Sequence, residues 1–170
     1  MKKTIVIIFV IAVLASCAAA PKVPEVSENP LVAGKLFVKT NNLGPGVSNS
    51  SKSLGIRIRF ENEETNKITT VTSQSDGWIL TTKLPAGRYR IEDMILKLQG
   101  MELTLFGPFY LIIDDGGVNN MGFLNINVES KIYNFNFGNY SNVKEEFLTT
   151  FPDSIWNSSE WKDRIISQNR

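Results

Sequence analysis

The stretch Gly122-Phe123-Leu124-Asn125-Ile126-Asn127-Val128-Glu129-Ser130-Lys131-Ile132-Tyr133-Asn134-Phe135-Asn136-Phe137 carries two runs in which apolar and polar residues alternate. A period of two places successive side chains on opposite faces of a strand, so each run reads as a strand with one buried face. With Ser130-Lys131 as the turn, Asn127 faces Asn134 and Asn125 faces Asn136. The apolar side then pairs Val128 with Tyr133, Ile126 with Phe135 and Leu124 with Phe137. A slip of one residue sets amides against aliphatics on both faces, which a buried face forbids. An antiparallel hairpin in one register is expected.

Upstream, short runs rich in Ile, Val, Phe, Tyr and Thr recur between Gly, Pro and Asn clusters. Strands are expected over 35–40, 56–60, 67–72, 78–83, 89–96, 102–106 and 109–113, with a polar loop over 41–53. Helical signals are confined to the tail. Asn142 followed by Glu145 has the spacing of a capping box ahead of Phe147 and Leu148, and Pro152 ends that helix. Ser158 or Ser159 is expected to cap a second helix carrying Trp161 and Ile165 on one face. Many short strands followed by a short helical tail predict a mainly β fold, an antiparallel β-sandwich with short C-terminal helices.

The inventory of side chains narrows the chemistry. The 170 residues include one cysteine and no histidine, with 18 basic and 17 acidic side chains. Without histidine the chain lacks the commonest metal ligand and the usual general base at neutral pH. One cysteine permits no internal disulfide. The near-balanced charge gives no drive towards nucleic acid. No catalytic residue, metal site or cofactor is assigned.

The N-terminus explains the single cysteine. Lys2 and Lys3 precede ten uninterrupted apolar residues, Ile5 to Leu14, a length suited to a secretory signal and too short to span a bilayer. The run ends in Leu14-Ala15-Ser16-Cys17, which resembles the bacterial lipobox. The resemblance implies a signal peptide over 1–16, acylation of Cys17 (palmitate among the acyl groups) and a membrane-lipid partner. Ala18, where aspartate is the familiar inner-membrane retention signal, favours the outer membrane of a bacterial cell envelope. Removing 16 of the 170 residues leaves 154, and the loss of Lys2 and Lys3 takes the net side-chain charge to about −1. Residues 17–33, with Pro21, Pro24 and Pro30, are expected to form a flexible tether. The sandwich is expected over 34–140, and a helical extension packed on it over 141–170.

A second resemblance rests on Gly55-Ile56-Arg57-Ile58-Arg59-Phe60-Glu61-Asn62, Thr65, Ser75-Asp76-Gly77-Trp78 and Leu84-Pro85-Ala86-Gly87-Arg88-Tyr89-Arg90-Ile91. This pattern is similar to the carboxypeptidase regulatory-like (transthyretin-like) β-sandwich domain over about residues 34–99. The resemblance implies that the strands around Ile58 and Tyr89 are neighbours in one sheet. It transfers no catalytic residue, because that domain is a scaffold rather than an activity.

Two polar faces are candidate binding sites. Arg57, Arg59, Arg88 and Arg90 offer planar guanidinium groups to an anion, or are balanced across strands by Glu61 and Glu92. Asn125, Asn127, Asn134 and Asn136, with Phe123 on the same side, offer amides beside an aromatic plate, as a glycan face would. Asp114, Asp115, Asn119 and Asn120 gather oxygen atoms but lack the alternation of a calcium loop, so a Gly-rich turn explains them better. Trp78 is expected in the core. The reading is a lipid-anchored, non-enzymatic envelope protein that binds or assembles with another envelope protein or a glycan. Alternatives are a carbohydrate-binding accessory domain and an envelope hydrolase.

Overall fold

The computed structural model describes residues 21–24, 27–41, 55–98, 101–129 and 132–167. The expected signal peptide, Cys17, the loop after Asn41 and the Ser130-Lys131 turn lie outside them. The strands are β1 (Leu31–Asn41), β2 (Ile56–Asn62), β3 (Ile68–Thr72), β4 (Trp78–Thr81), β5 (Gly87–Leu98), β6 (Met101–Ile113), β7 (Val118–Glu129) and β8 (Ile132–Gly138). A helix α1 (Tyr140–Thr150), a 3-10 turn (Ile155–Ser158) and a short strand β9 (Trp161–Asp163) follow. They form a mainly β structure of two packed sheets. The first has the order β4-β1-β7-β8 with β9 also beside β7; the second has the order β3-β2-β5-β6. Most pairs are antiparallel, but β1 and β9 both run parallel to β7.

The hairpin forms in the expected register: Asn127 opposes Asn134, Asn125 opposes Asn136 and Ile126 opposes Phe135. Its apolar side faces the sandwich interior, where Leu124, Ile126 and Val128 join Leu36, Val38, Ile58, Phe60, Ile91 and Met94. Phe135 and Phe137 pack edge-on against Phe109 of the opposite sheet, ring centres 5.2 and 6.2 Å apart. The turns at Asp76-Gly77 and Leu84-Pro85-Ala86-Gly87 also behave as their residues require. Asp76 Oδ1 accepts from the Trp78 N–H, and Gly77 adopts a positive φ of 90°. The Tyr89 hydroxyl donates to the Pro85 carbonyl at 2.8 Å, tying the start of β5 to the turn before it.

The two strands expected over 102–106 and 109–113 are one. Phe106 pairs with Asp93 and Phe109 with Ile91, so Gly107-Pro108 on β6 lies opposite a bulge at Glu92 on β5. Gly and Pro interrupt the alternation without ending the strand, because each sheet neighbour absorbs the extra residues.

The tail departs most from expectation. Helix α1 begins at Tyr140, two residues before the expected cap Asn142, after Asn139 in the left-handed region at φ 54°. Pro152 does follow its end. The second helix is absent: Ser154 caps the 3-10 turn through a hydrogen bond from the Trp156 N–H, and Trp161 lies in β9. Ile165 is 79% exposed rather than on a buried helix face. The reason lies in β7, which β8 covers only from Phe123 onward. The remaining edge, Val118 to Asn120, takes its partner from β9. The chain then crosses to the second sheet, where Ser167 and Tyr110 exchange backbone hydrogen bonds.

Helix α1 does not enter the sandwich. It covers the outer face of the first sheet and creates a second core of Leu31, Ala33, Trp78, Leu80, Val118, Val143, Phe147, Phe151 and Trp156. Trp78 is therefore core, as expected, but outside the sandwich. Strand β4 is buried on both faces, Ile79 to the interior and Trp78 and Leu80 to α1. Such a strand shows no alternation to read.

The expected tether is also shorter. Strand β1 starts at Leu31, inside the expected tether 17–33, and Leu31, Val32 and Ala33 are fully buried. Further upstream, Gln74 holds both sides of the Lys22 peptide: the Lys22 N–H donates to Oε1 at 2.7 Å and Nε2 donates to the Lys22 carbonyl at 2.6 Å. Trp156 Nε1 donates to the Pro24 carbonyl at 3.0 Å, and Val23 packs on the second core.

Candidate functional site

The outer face of the first sheet is divided. Its Leu31 end lies under α1, while no described residue covers the far end. There the β1–β7–β8 registers align two transverse rows, Phe37-Asn125-Asn136 and Lys39-Asn127-Asn134. These residues line a shallow cavity of about 340 Å³. Side chains two apart on a strand share a face, which is why Phe37 and Lys39, distant in sequence, join the asparagines. Phe37 is 45% exposed, unusual for so large an apolar ring.

The amides here are poorly satisfied. Among the described residues Asn125 Nδ2 donates only to the Phe123 carbonyl, at 3.5 Å, the outer limit for such a bond. Asn127 Oδ1 is buried and accepts no hydrogen bond. A buried acceptor left unpaired costs about 1–3 kcal/mol, so a donor arriving from outside gains at this position. Among the described side chains lining the cavity, Lys39 is the only charged group. The arrangement offers amide donors and acceptors, one cation and an aromatic plate.

The sequence reading located the four asparagines but placed the wrong aromatic ring among them. Phe123 does lie on their side of β7, yet it packs on the second core. It stands opposite Gly138 and Lys35 rather than among the amides. Phe37 takes the role assigned to it. Finding Phe37 from sequence required the parallel β1–β7 pairing, for which no local signal exists.

The arginine face is brought together, as β2 and β5 pair directly. It is largely neutralised. Arg59 Nη1 donates to Asp93 Oδ2 at 2.7 Å, Arg90 Nη2 contacts Glu61 and Glu92 at 2.5 Å each, and Arg88 Nε reaches Glu63 at 3.2 Å. Only Arg57 lacks an ionic partner among the described residues. The Arg90 hydrogen bond, then that of Glu92, holds the Glu61 carboxyl below its ordinary pKa. A depressed carboxylate contributes stability at neutral pH that is lost as pH falls through its lowered folded value. The pair is solvent-exposed, so that contribution is small. With its guanidinium groups engaged by carboxylates, this face has little left to offer an anion.

The oxygen-rich turn is a bracket rather than a metal site. Asn119 Oδ1 accepts from the Asp114 N–H and from Arg164 Nε, its Nδ2 donates to the Asp114 carbonyl, and Arg164 also pairs with the Asp114 carboxylate. Among the described residues no cluster of three metal-ligating side chains occurs.

Comparisons with known proteins add little to this geometry. No family model matches the chain, and a search of curated proteins finds no match. Among solved structures, a crystal structure of (S)-allantoin synthase aligns with 63% of this chain and 44% of its own, at 12% identity and a TM-score of 0.26. This chain thus spans less than half the length of that protein. A likeness that slight carries no argument about fold or activity.

Proposed function

We propose that this chain is a lipid-anchored, non-enzymatic module of the bacterial envelope that binds a partner through the bare half of the first sheet's outer face. One observation carries the binding reading. The chain's own C-terminal segment covers half of that face, and among the described residues the other half carries an exposed phenylalanine beside under-bonded amides. Most proteins satisfy or solvate such groups, and an aromatic surrounded by them is a frequent contact point. The partner is another envelope protein or a glycan. The regulatory-like sandwich is the scaffold in this reading, supported by the Asp76-Gly77 turn and the β2–β5 pairing.

The anchor is proposed from Leu14-Ala15-Ser16-Cys17, with the outer membrane as its site because Ala18 follows the cysteine. More than one acyl chain makes such attachment stable, whereas a single chain binds only marginally. Cys17→Ser is expected to move the protein from the membrane to the soluble fraction and to abolish labelling by a fatty-acid probe. Unchanged fractionation and labelling would remove the anchor from the proposal.

The glycan reading is favoured over a protein partner by the chemistry of the face. Sugar hydroxyls both donate and accept, matching amides, while the C–H face of a sugar ring covers an aromatic plate. On a glycan array, wild type is expected to bind a subset of glycans. Phe37→Ala and the Asn125→Ala/Asn127→Ala double variant are expected to weaken that binding about tenfold or more, or 1.4 kcal/mol per decade. A blank array with wild-type protein would leave the protein-partner reading in its place.

A further inference from the structure

We infer that the domain is held against the lipid headgroups by one defined surface, Pro152 and Ile155 with the neighbouring Val23 and Pro24, because the chain is clamped a few residues after its anchor. The inference rests on the proposed acylation of Cys17.

The argument begins with reach. Among the described residues Lys22 is the first to be clamped, gripped on both sides of its peptide by Gln74, and Pro24 is held by Trp156 two residues later. Five peptide units separate Cys17 from Lys22. At full extension they span at most about 18 Å. A freely hanging tether over 17–33 would reach three times as far and let the domain turn in any direction. The clamp removes that freedom, so whatever lies beside Lys22 and Pro24 lies beside the membrane.

What lies there suits an interface. Val23, Pro24, Phe151, Pro152 and Ile155 form the apolar part of an open groove of about 640 Å³, whose polar part includes the exposed Asp153. Ile155 is 51% exposed, and Pro152 beside it is exposed too. Apolar side chains on a surface held at the headgroup level gain by entering the boundary with the acyl chains. Lys22, exposed and next to the groove, matches anionic headgroups. The lipid surface itself is what this groove meets.

The same clamp fixes where the binding face points. Strand β1 leaves the second core at Leu31 and reaches Phe37 six residues on, about 20 Å along the strand. The Phe37–asparagine cavity is therefore carried away from the anchored end and kept clear of headgroups.

The test uses acylated full-length protein in vesicles of phosphatidylethanolamine and phosphatidylglycerol. A fluorophore is placed through Ile155→Cys or, at the far end, Asn134→Cys, and quenched by lipids spin-labelled near the headgroup. Strong quenching is expected at 155 and none at 134. A ten-residue Gly/Ser spacer between Ala20 and Pro21 adds about 18 Å of average reach and is expected to leave the 155 quenching intact, because Pro152, Val23 and Pro24 still hold the groove to the lipid. Gln74→Ala combined with that spacer is expected to reduce it to the level at 134. Vesicle-bound protein with equal quenching at both positions overturns this inference while sparing the anchor. Protein that stays off the vesicles overturns both. A 155 label that is quenched, but only when a second envelope protein is present, assigns the surface to that protein instead.

Discussion

Trp78→Ala is expected to lower the thermal midpoint by roughly 6 to 20 °C, at about 2–4 °C per kcal/mol for a chain of this size. Trp78 is fully buried between β4 and α1. Its ring meets Phe147 and Phe151 at 5.7 and 5.5 Å in edge-on contacts, and Lys35 Nζ sits 4.6 Å over its face. Truncating so large a buried aromatic removes its transfer energy and leaves a cavity, together about 3–5 kcal/mol. That is a large part of the 5–15 kcal/mol a domain usually holds. The indole N–H takes no hydrogen bond in its buried position, so Trp78→Phe relieves one unsatisfied group and is expected to cost much less. Thermal denaturation of both variants checks the pair. A shift below about 3 °C for the alanine variant would mean that α1 is not docked on the sheet as described.

Asn120→Leu is expected to be nearly as damaging, although it preserves the branching and heavy-atom count of the side chain. Asn120 is 1% exposed and its side chain joins three elements. Nδ2 donates to the Tyr140 carbonyl at the start of α1 and to Asp163 Oδ1 in β9, and Oδ1 accepts from the Gly122 N–H. Leucine leaves those partners unpaired, each at about 1–3 kcal/mol when buried, so a loss of about 3 kcal/mol is expected. The damage should also be local. Hydrogen exchange is expected to accelerate across α1 and β9 first, with the β2–β5–β6 strands unaffected until global unfolding. Uniform acceleration would show that the tail and the sandwich unfold as one unit.

Legibility in the sequence followed the range of the interactions. The hairpin of β7 and β8 was readable to the residue, because its register depends on neighbouring alternation and one turn. The turns at Gly77 and before Tyr89 were readable for the same reason. The pairing of Arg90 with Glu61 needed alternation in both strands and their adjacency, which was implied only by the regulatory-like resemblance. What could not be read was decided at long range. Nothing local marks Trp161–Asp163 as a strand, since three residues acquire that form only by meeting the bare edge of β7. Trp78 was recognised as core, but not that its core lies outside the sandwich, since a strand buried on both faces shows no period. Phe37 was missed as the aromatic of the candidate site because its asparagine neighbours come from a strand far along the chain. The Lys22–Gln74 clamp lies in a segment whose prolines and alanines read as solvent-exposed linker.

The central position of β1 imposes an order on folding. Leu31–Asn41 is the first strand among the described residues, yet its hydrogen-bonding partners, Trp78–Thr81 and Val118–Glu129, come much later. Pairings between such distant segments form slowly, commonly over milliseconds to seconds, because a long loop must close before any contact rewards it. The hairpins β5–β6 and β7–β8 are local and can precede it. An anchored chain would therefore wait with one edge of β1 still open after Trp78–Thr81 has paired with the other, until the sequence around Val118 arrives. The Trp156 half of the clamp forms later still, after α1 has docked. Chains truncated before β7 should thus remain attached but unclosed, displaying β1 as a free edge to whatever neighbours or proteases the surface holds.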